Sequence, residues 1–398
     1  MKLIYLHQYF RKPSMNGGIR SYEFAKRLAD TGHEVVLITS DNENEFSGWK
    51  VEKLDGFEVH WVSVKYDNSY GFLKRLWAFF KFLVLASIHI CSLKSDKLYV
   101  TSTPLTVAIP ALIYKLVKRK AYVFEVRDVW PEVPIALGVI KNRILIQVAL
   151  FLEKLAYKHA EHIVALSPDM KNSVLERCGK TPVTVISNAA DCHLFNLPFP
   201  NDDSFLRKLK HIKEKHRKVV FYTGAFGLVN NLRSFIKLSS FSDGEIGFVI
   251  IGQGREETEL KVFAQELSVL DQKLHFLPSV NKNQLSYVHN TFDMATSTVL
   301  PIDALYANSA NKVFDAFAAG TPLLINHGGW IKDLIEKTKC GLVINNDPTV
   351  DDYRTLRDFL FSEERYSEAC KASRTLGQNE YYRERLFEKL LSVIEMES

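Results

Sequence analysis

The chain has 398 residues, enough for two ordinary domains, each with its own core. Hydrophobic residues at 46% and charged residues at 24% exclude a disordered chain, and a net charge of +5 is too diffuse to argue for nucleic acid. Five cysteines at irregular spacing give neither a metal pattern nor a disulfide framework, and are read as reduced thiols of a cytoplasmic protein.

The N-terminus, MKLIYLHQYF, is a first β-strand over Leu3 to Leu6 and lacks the pattern of a signal peptide. After the loop RKPSMNGGIR, the run SYEFAKRLADTGHEVVLIT completes a strand–loop–helix–strand unit, with Gly32 ending the helix. Gly17 and Gly18 lie between that strand and that helix, where glycines let a ligand approach the backbone; a plain turn fits as well. The spacing is not GxGxxG, so no nicotinamide site is read.

Further strands fall at Val59 to Val64, Lys97 to Thr101 and Ala121 to Val126. Between them, residues 72–93 are the most apolar stretch, with Trp77, Phe79, Phe80 and Phe82 among Lys74, Arg75 and Lys81. Such a helix suits either a lipid interface with anionic headgroups or the interior of the domain. Arg127, Asp128, Trp130 and Glu132 follow the strand AYVFEV, at a strand end where α/β domains place their ligands. A guanidinium and carboxylates so close together could steer an acceptor hydroxyl and a phosphate leaving group, or could form a structural pair.

DCHLFNLPFPNDD, residues 191–203, reads as a linker. A second strand–helix series follows, so the fold class is α/β, with two doubly wound Rossmann-like domains facing across a cleft. Gly224 and Gly227 lie between the strand KVVFYT and the helix beginning near Asn230; Gly252 and Gly254 follow GFVII. Each pair fits a βα turn or a phosphate cradle. In VLPIDALYANSANKVFDAFAAGTPLL, Asn308 and Ser309 are helix N-caps and Gly320 is the left-handed stop. Asn311, Lys312 and Asp315 share a polar face: helix terminus and Lys312 for phosphate, Asp315 for ribose hydroxyls.

The blocks GGIRSYEFAKRLADTGHEV, EVRDVWPEVPIALGVIKN, ISNAAD, YTGAFGLVNNL, IIGQGREETEL, FLPSV and ANKVFDAFAAGTPLL resemble the GT-B retaining glycosyltransferases of family 4. The likeness is to the fucosamine-transferase-like branch of O-antigen, capsule and colanic-acid biosynthesis. It implies an acceptor-side domain over 1–190, a linker over 191–204 and a nucleotide-sugar domain over 205–379, with the helix of 380–398 packing back on the first domain. It further implies that Asn311 and Lys312 hold diphosphate with the backbone of Gly227 and Leu228, that Ser279 and Val280 meet the base, and that Gly17 and Gly18 approach the donor phosphate. Arg20 and Trp130 are expected on the acceptor; Asp128, with Arg127 and Glu132, near the reacting carbon. Two positions depart from the pattern: Ala307 replaces the first acidic residue of Glu-x7-Glu, leaving Tyr306, Asn308 or Ser309 to meet the sugar, and GAFGLVNN lacks the usual Arg and Lys.

The implied activity is metal-independent transfer, without cofactor, from a nucleotide-diphosphate sugar. A UDP-sugar leads, an N-acetylated deoxysugar among the candidates; the acceptor is a glycan on a polyprenyl-diphosphate lipid. The implied place is the cytoplasmic face of the inner membrane, as a peripheral protein touching it through residues 72–93. The competing readings are a non-catalytic, membrane-docked assembly subunit and a UDP-sugar 2-epimerase.

Overall fold

A computed structural model describes the chain apart from residues 16, 43, 45, 65–71, 103, 197–202 and 397–398, and apart from the side chains of 72–76. It divides into two compact units, Met1–Ser187 with Phe387–Ser398, and Asn188–Leu386.

In the first unit the strands are β1 (Lys2–Leu6), β2 (Glu34–Asp41), β3 (Trp49–Leu54), β4 (Phe57–Ser63), β5 (Lys97–Thr101), β6 (Tyr122–Val126), β7 (His162–Ala165) and β8 (Val183–Val185). Among the described residues they form one sheet in the order β3-β4-β2-β1-β5-β6-β7-β8. All neighbours are parallel except β3 and β4, an antiparallel pair absent from the sequence reading. Its signal was present: Asp55-Gly56 takes positive φ at both residues (44° and 91°), the two-residue hairpin turn that Asp-Gly favours.

The helices of this unit are α1 (Arg20–Asp30), α2 (Phe72–Ser92), α3 (Ala108–Lys118), α4 (Glu132–Ala136), α5 (Arg143–His159) and α6 (Pro168–Leu175). Side chains alternate across the sheet. Ile4, Leu6, Val100, Tyr122, Phe124 and Val126 share a core with residues of α2, α3 and α5. Tyr5, on the opposite face, bonds Ser21 of α1.

The second unit contains α7 (Cys192–Phe195), α8 (Ser204–Lys215), β9 (Lys218–Ala225), α9 (Leu232–Ser240), β10 (Ile246–Gln253), α10 (Glu257–Glu266), β11 (Leu274–Leu277), α11 (Lys282–Thr291), β12 (Met294–Ser297), α12 (Asp303–Tyr306) and α13 (Asn311–Ala319). It continues with β13 (Leu323–Ile325), α14 (Trp330–Thr338), β14 (Gly341–Val343), α15 (Val350–Phe361), α16 (Glu363–Gln378) and the start of α17 (Arg383–Glu395). Its sheet is wholly parallel, in the order β11-β10-β9-β12-β13-β14. Helices cover both faces: Val219, Phe221, Val249 and Ile251 pack with α11 and α13, while Val220, Tyr222, Phe248 and Ile250 pack with α9, α10 and α15.

Part of the stretch that composition marks as a linker is built into the second unit. Cys192 and Phe195 are buried in the core of the second unit, and the Asp191 carboxylate is gripped by Arg383 through two nitrogens. The expected linker's remaining stretch, 197–202, lies outside the described residues. The boundary of the units falls between Ser187 and Asn188, and Tyr381 stays in the second core while the chain from Phe387 onward groups with the first unit. There Leu390, Val393 and Ile394 are buried, and Lys97 donates to the Met396 carbonyl at 2.8 Å.

Candidate functional site

In the second unit, α13 turns a polar end toward the carboxyl edge of the sheet. Its N-cap is Ala310, without a side-chain bond, so Asn308 and Ser309 are not the caps that their residue types suggest. The Asn308 side chain donates to the Leu305 carbonyl at 2.7 Å, and its own carbonyl accepts from Trp330 Nε1 at 2.9 Å. Ser309 is buried, its carbonyl accepting from Asn188 Nδ2 at 2.6 Å. Both residues therefore shape the loop from within. Gly320 ends the helix in the left-handed conformation, φ 70°, as its sequence implies.

Asn311, the first helical residue, is exposed. Lys312 is the cation of the site. Its Nζ lies 3.8 Å from the centroid of the Tyr222 ring, and a Cβ added at Gly224 would sit 3.4 Å from it. Burial penalises the ammonium and pulls its pKa down to about 7. The cluster thus brings together a strand end, a helix N-terminus and a lysine whose charge has no carboxylate beside it among the described contacts, a setting made for an anion.

Gly224, with φ 145°, presents bare backbone here. The Gly252–Gly254 pair has a different task. A Cβ at Gly252 would meet the Gly224 carbonyl at 1.9 Å, and one at Gly254 the Phe226 carbonyl at 2.5 Å, so these glycines let β10 close against β9. Gly227 caps the short 3₁₀ turn Leu228–Asn230, and the Leu228 side chain is exposed. Ser279 is exposed, 3.5 Å from Gln253, on the loop into α11; Val280 packs against the core and offers only its backbone.

Asp315 is buried, and both carboxylate oxygens accept from Lys282 Nζ, at 2.7 and 3.0 Å. Burial raises its carboxyl pKa and Lys282 works against that rise. Lys282 escaped the sequence reading because 33 residues separate it from its partner. Tyr306 stacks on His327, ring centroids 5.6 Å apart, beside Ala307. Burial, opposed by the Gly328 carbonyl, lowers the His327 pKa, and the Lys312 charge adds to the effect.

In the first unit, the carboxyl ends of β1, β5 and β6 bring His7, Ser102 and Arg127 together. Arg127 Nη1 lies 3.2 Å from His7 Nε2, and its backbone N–H donates to Ser102 Oγ at 3.1 Å. His7 is buried; desolvation first, then the charges of Arg127 and Arg11, hold its pKa well below the usual value, so the ring is neutral. Asp128 is exposed next to this group, and Gly17, with φ 131°, follows on the loop after β1.

Two assignments on this side are corrected. Arg20 is 4% exposed, and its guanidinium holds Glu125 Oε1 (2.9 and 2.8 Å) and the Ile186 and Ser187 carbonyls, so it braces β6 and cannot meet an acceptor. Burial alone would raise the Glu125 carboxyl; Arg20, Arg127 and the Thr101 hydroxyl outweigh it and keep it below its usual range. Glu132 is paired with Arg177, which also holds Glu153 at 3.0 Å, so it is no free acid or base. Trp130 is half-buried and packs against the core of this unit. Among the described residues, no group of three or more His, Cys, Asp or Glu is placed to hold a metal ion.

Residues 17–189 match the glycosyl transferase 4-like domain and residues 205–376 match glycosyl transferases group 1. Of solved structures, the sucrose-phosphate synthase of Thermosynechococcus elongatus is similar with a TM-score of 0.77 at 12% identity, over 99% of this chain and 98% of that one. Anabaena HepE in complex with UDP and glucose gives 0.72 at 15% over 99% of both chains. WaaG, a glycosyltransferase involved in lipopolysaccharide biosynthesis, gives 0.71 at 16% over 99% of this chain and 100% of that one. At these identities the likeness shows the GT-B fold. No curated protein matches the sequence.

Proposed function

From a chain that belongs to the family 4 glycosyltransferases, carrying both of their domains in order, we propose retaining transfer of a sugar from a UDP-sugar to a lipid-linked glycan at the membrane surface. The acceptor is a glycan on polyprenyl diphosphate, and the branch is the fucosamine-transferase-like one of surface polysaccharide assembly, O-antigen or capsule. The observation that carries the donor side is Lys312, held over Tyr222 and against Gly224 at the start of α13. The donor diphosphate sits there, with the backbone of Gly224, Gly227 and Leu228 and the end of α13 supplying further N–H groups. Asp315, steadied by Lys282, accepts from the ribose hydroxyls with its remaining lone pairs; Ser279 and the Val280 backbone meet the base.

The bond from the anomeric carbon to the diphosphate oxygen breaks as the acceptor hydroxyl attacks from the same face, and the hydroxyl proton passes to the departing phosphate. Lys312 neutralises the charge that develops on that phosphate, which removes the need for a metal ion in this scheme. Asp128 faces the positive charge on the sugar, and Arg127, placed by His7, orients the acceptor. Tyr306 and His327 meet the sugar where Ala307 has replaced a carboxylate.

Thermal shift with UDP, GDP and ADP tests the donor site. A ligand at a hundred times its dissociation constant stabilises by about 2.7 kcal/mol, and the shift with UDP should vanish in Lys312→Ala with Asp315→Ala. No shift with any nucleotide would sink the placement. A UDP shift without release of UDP from UDP-sugars and lipid acceptor would favour the non-catalytic reading that Ala307 suggests.

A further inference from the structure

We infer that α2, α3 and α5 together form one docking face for an anionic phospholipid bilayer, to which the entry turn of α5 contributes. This deepens the lipid-linked acceptor reading above and rests on it for its purpose, though not for its geometry. The three helices lie side by side on one face of the first unit's sheet, their inner residues sharing one core. Their outer surfaces, which water should face, carry large exposed apolar residues. On α2 the stripe is Trp77, Phe80, Val84 and Ile88; on α3 it includes Ile109, Leu116 and Val117. Between them runs a groove of ≈ 510 Å³ with walls such as Phe80, Val84, Ile88, Ile109, Ile113 and Val117.

On α5, Ile144 (73% exposed), Leu145, Val148 and Phe151 all face outward, and Val139 precedes them, also exposed. Ordinary surface helices keep such residues on one stripe turned inward. So many large apolar side chains exposed on neighbouring helices mark a contact with a partner.

Charge identifies the partner. In the described side chains of α2, α3 and α5 the one acidic residue is Glu153, which is buried and held by Arg177. Lys81, Lys118, Arg143, Lys154 and Lys158 belong to the same helices, and Arg119 and Lys141 flank them. A face with cations and no exposed carboxylate complements anionic headgroups and repels a second copy of itself. Among the described residues no helix is long and apolar enough to cross a membrane, so the face lies on the bilayer rather than through it.

Topology gives the orientation. Helices between parallel strands run back along the sheet, so α2, α3 and α5 all begin at the carboxyl edge. Trp77, Phe80, Ile109, Ile144 and Leu145 therefore lie toward the same edge as His7, Arg127 and Asp128. A lipid-linked acceptor can then keep its chain in the leaflet while its first sugars reach Asp128.

The test is co-sedimentation of the full chain with phosphatidylcholine vesicles, with and without 30% phosphatidylglycerol as on the order of a physiological anionic content. Anionic vesicles should bind at least about tenfold more protein than neutral ones, less so at high salt. Ile144→Gln, Leu145→Gln and Val148→Gln together should cut this binding by about tenfold or more. Lys141→Glu with Arg143→Glu, which leaves the apolar residues in place, should do the same. Equal binding by both variants and wild type overturns the inference, as does a wild-type dimer in sedimentation velocity that the Gln variant dissolves. Vesicle binding that survives without a UDP thermal shift keeps the docking face and sinks the donor reading; the reverse result sinks the docking face alone.

Discussion

If Lys312 holds the donor diphosphate, nucleotide affinity must depend on pH in a way that no exposed lysine would cause. Burial lowers the Lys312 pKa from 10.5 to about 7 in the unliganded protein. A diphosphate beside it restores the charged form. Affinity is then reduced by the protonated fraction of the free protein, so the Kd for UDP should rise about fivefold from pH 7 to 8 and about fifteenfold by pH 8.5. Binding at pH 8 should take up about 0.9 proton, read by calorimetry in two buffers of different ionisation enthalpy.

The sign for stability is opposite. Between about pH 7 and 10.5 the unfolded chain holds a proton at this lysine that the folded chain does not, so the unliganded protein gains stability from this group as pH rises. Lys312→Met should bind UDP weakly and with a flat profile from pH 7 to 8.5. A flat wild-type profile with no proton uptake would refute the assignment.

Two further predictions concern buried pairs. Lys282→Met leaves the Asp315 carboxylate buried without its cation, and should cost about 2 kcal/mol in urea unfolding, with most of the loss recovered when Asp315→Asn is added. Simple additivity of the two changes would mean that the pair is not coupled. Arg20→Ala strands Glu125 in the core and should cost about 3–5 kcal/mol, with Arg20→Lys recovering little because a lysine cannot reach the carboxylate and both carbonyls. A stable Arg20→Ala protein with only a raised KM for acceptor would restore the acceptor contact that its burial argues against.

What the amino-acid sequence determined by itself was everything set by local pattern. Alternating apolar runs and helical periodicity fixed two parallel α/β series; Gly320 fixed the end of α13; Lys312 next to a helix start marked the place proposed for the anion. The β3–β4 hairpin is legible in Asp55-Gly56. Which polar groups have partners depends on packing between distant parts of the chain. Arg20, Glu132 and Asp315 look alike in sequence, as charged residues early in helices that follow strand-end loops, yet their partners Glu125, Arg177 and Lys282 lie 105, 45 and 33 residues away by sequence number. A charge satisfied at such a distance is braced in place, and no periodicity records it. The same holds for the apolar face of α2, α3 and α5: each helix alone could be a core element, and only packing shows which of its residues are left facing out.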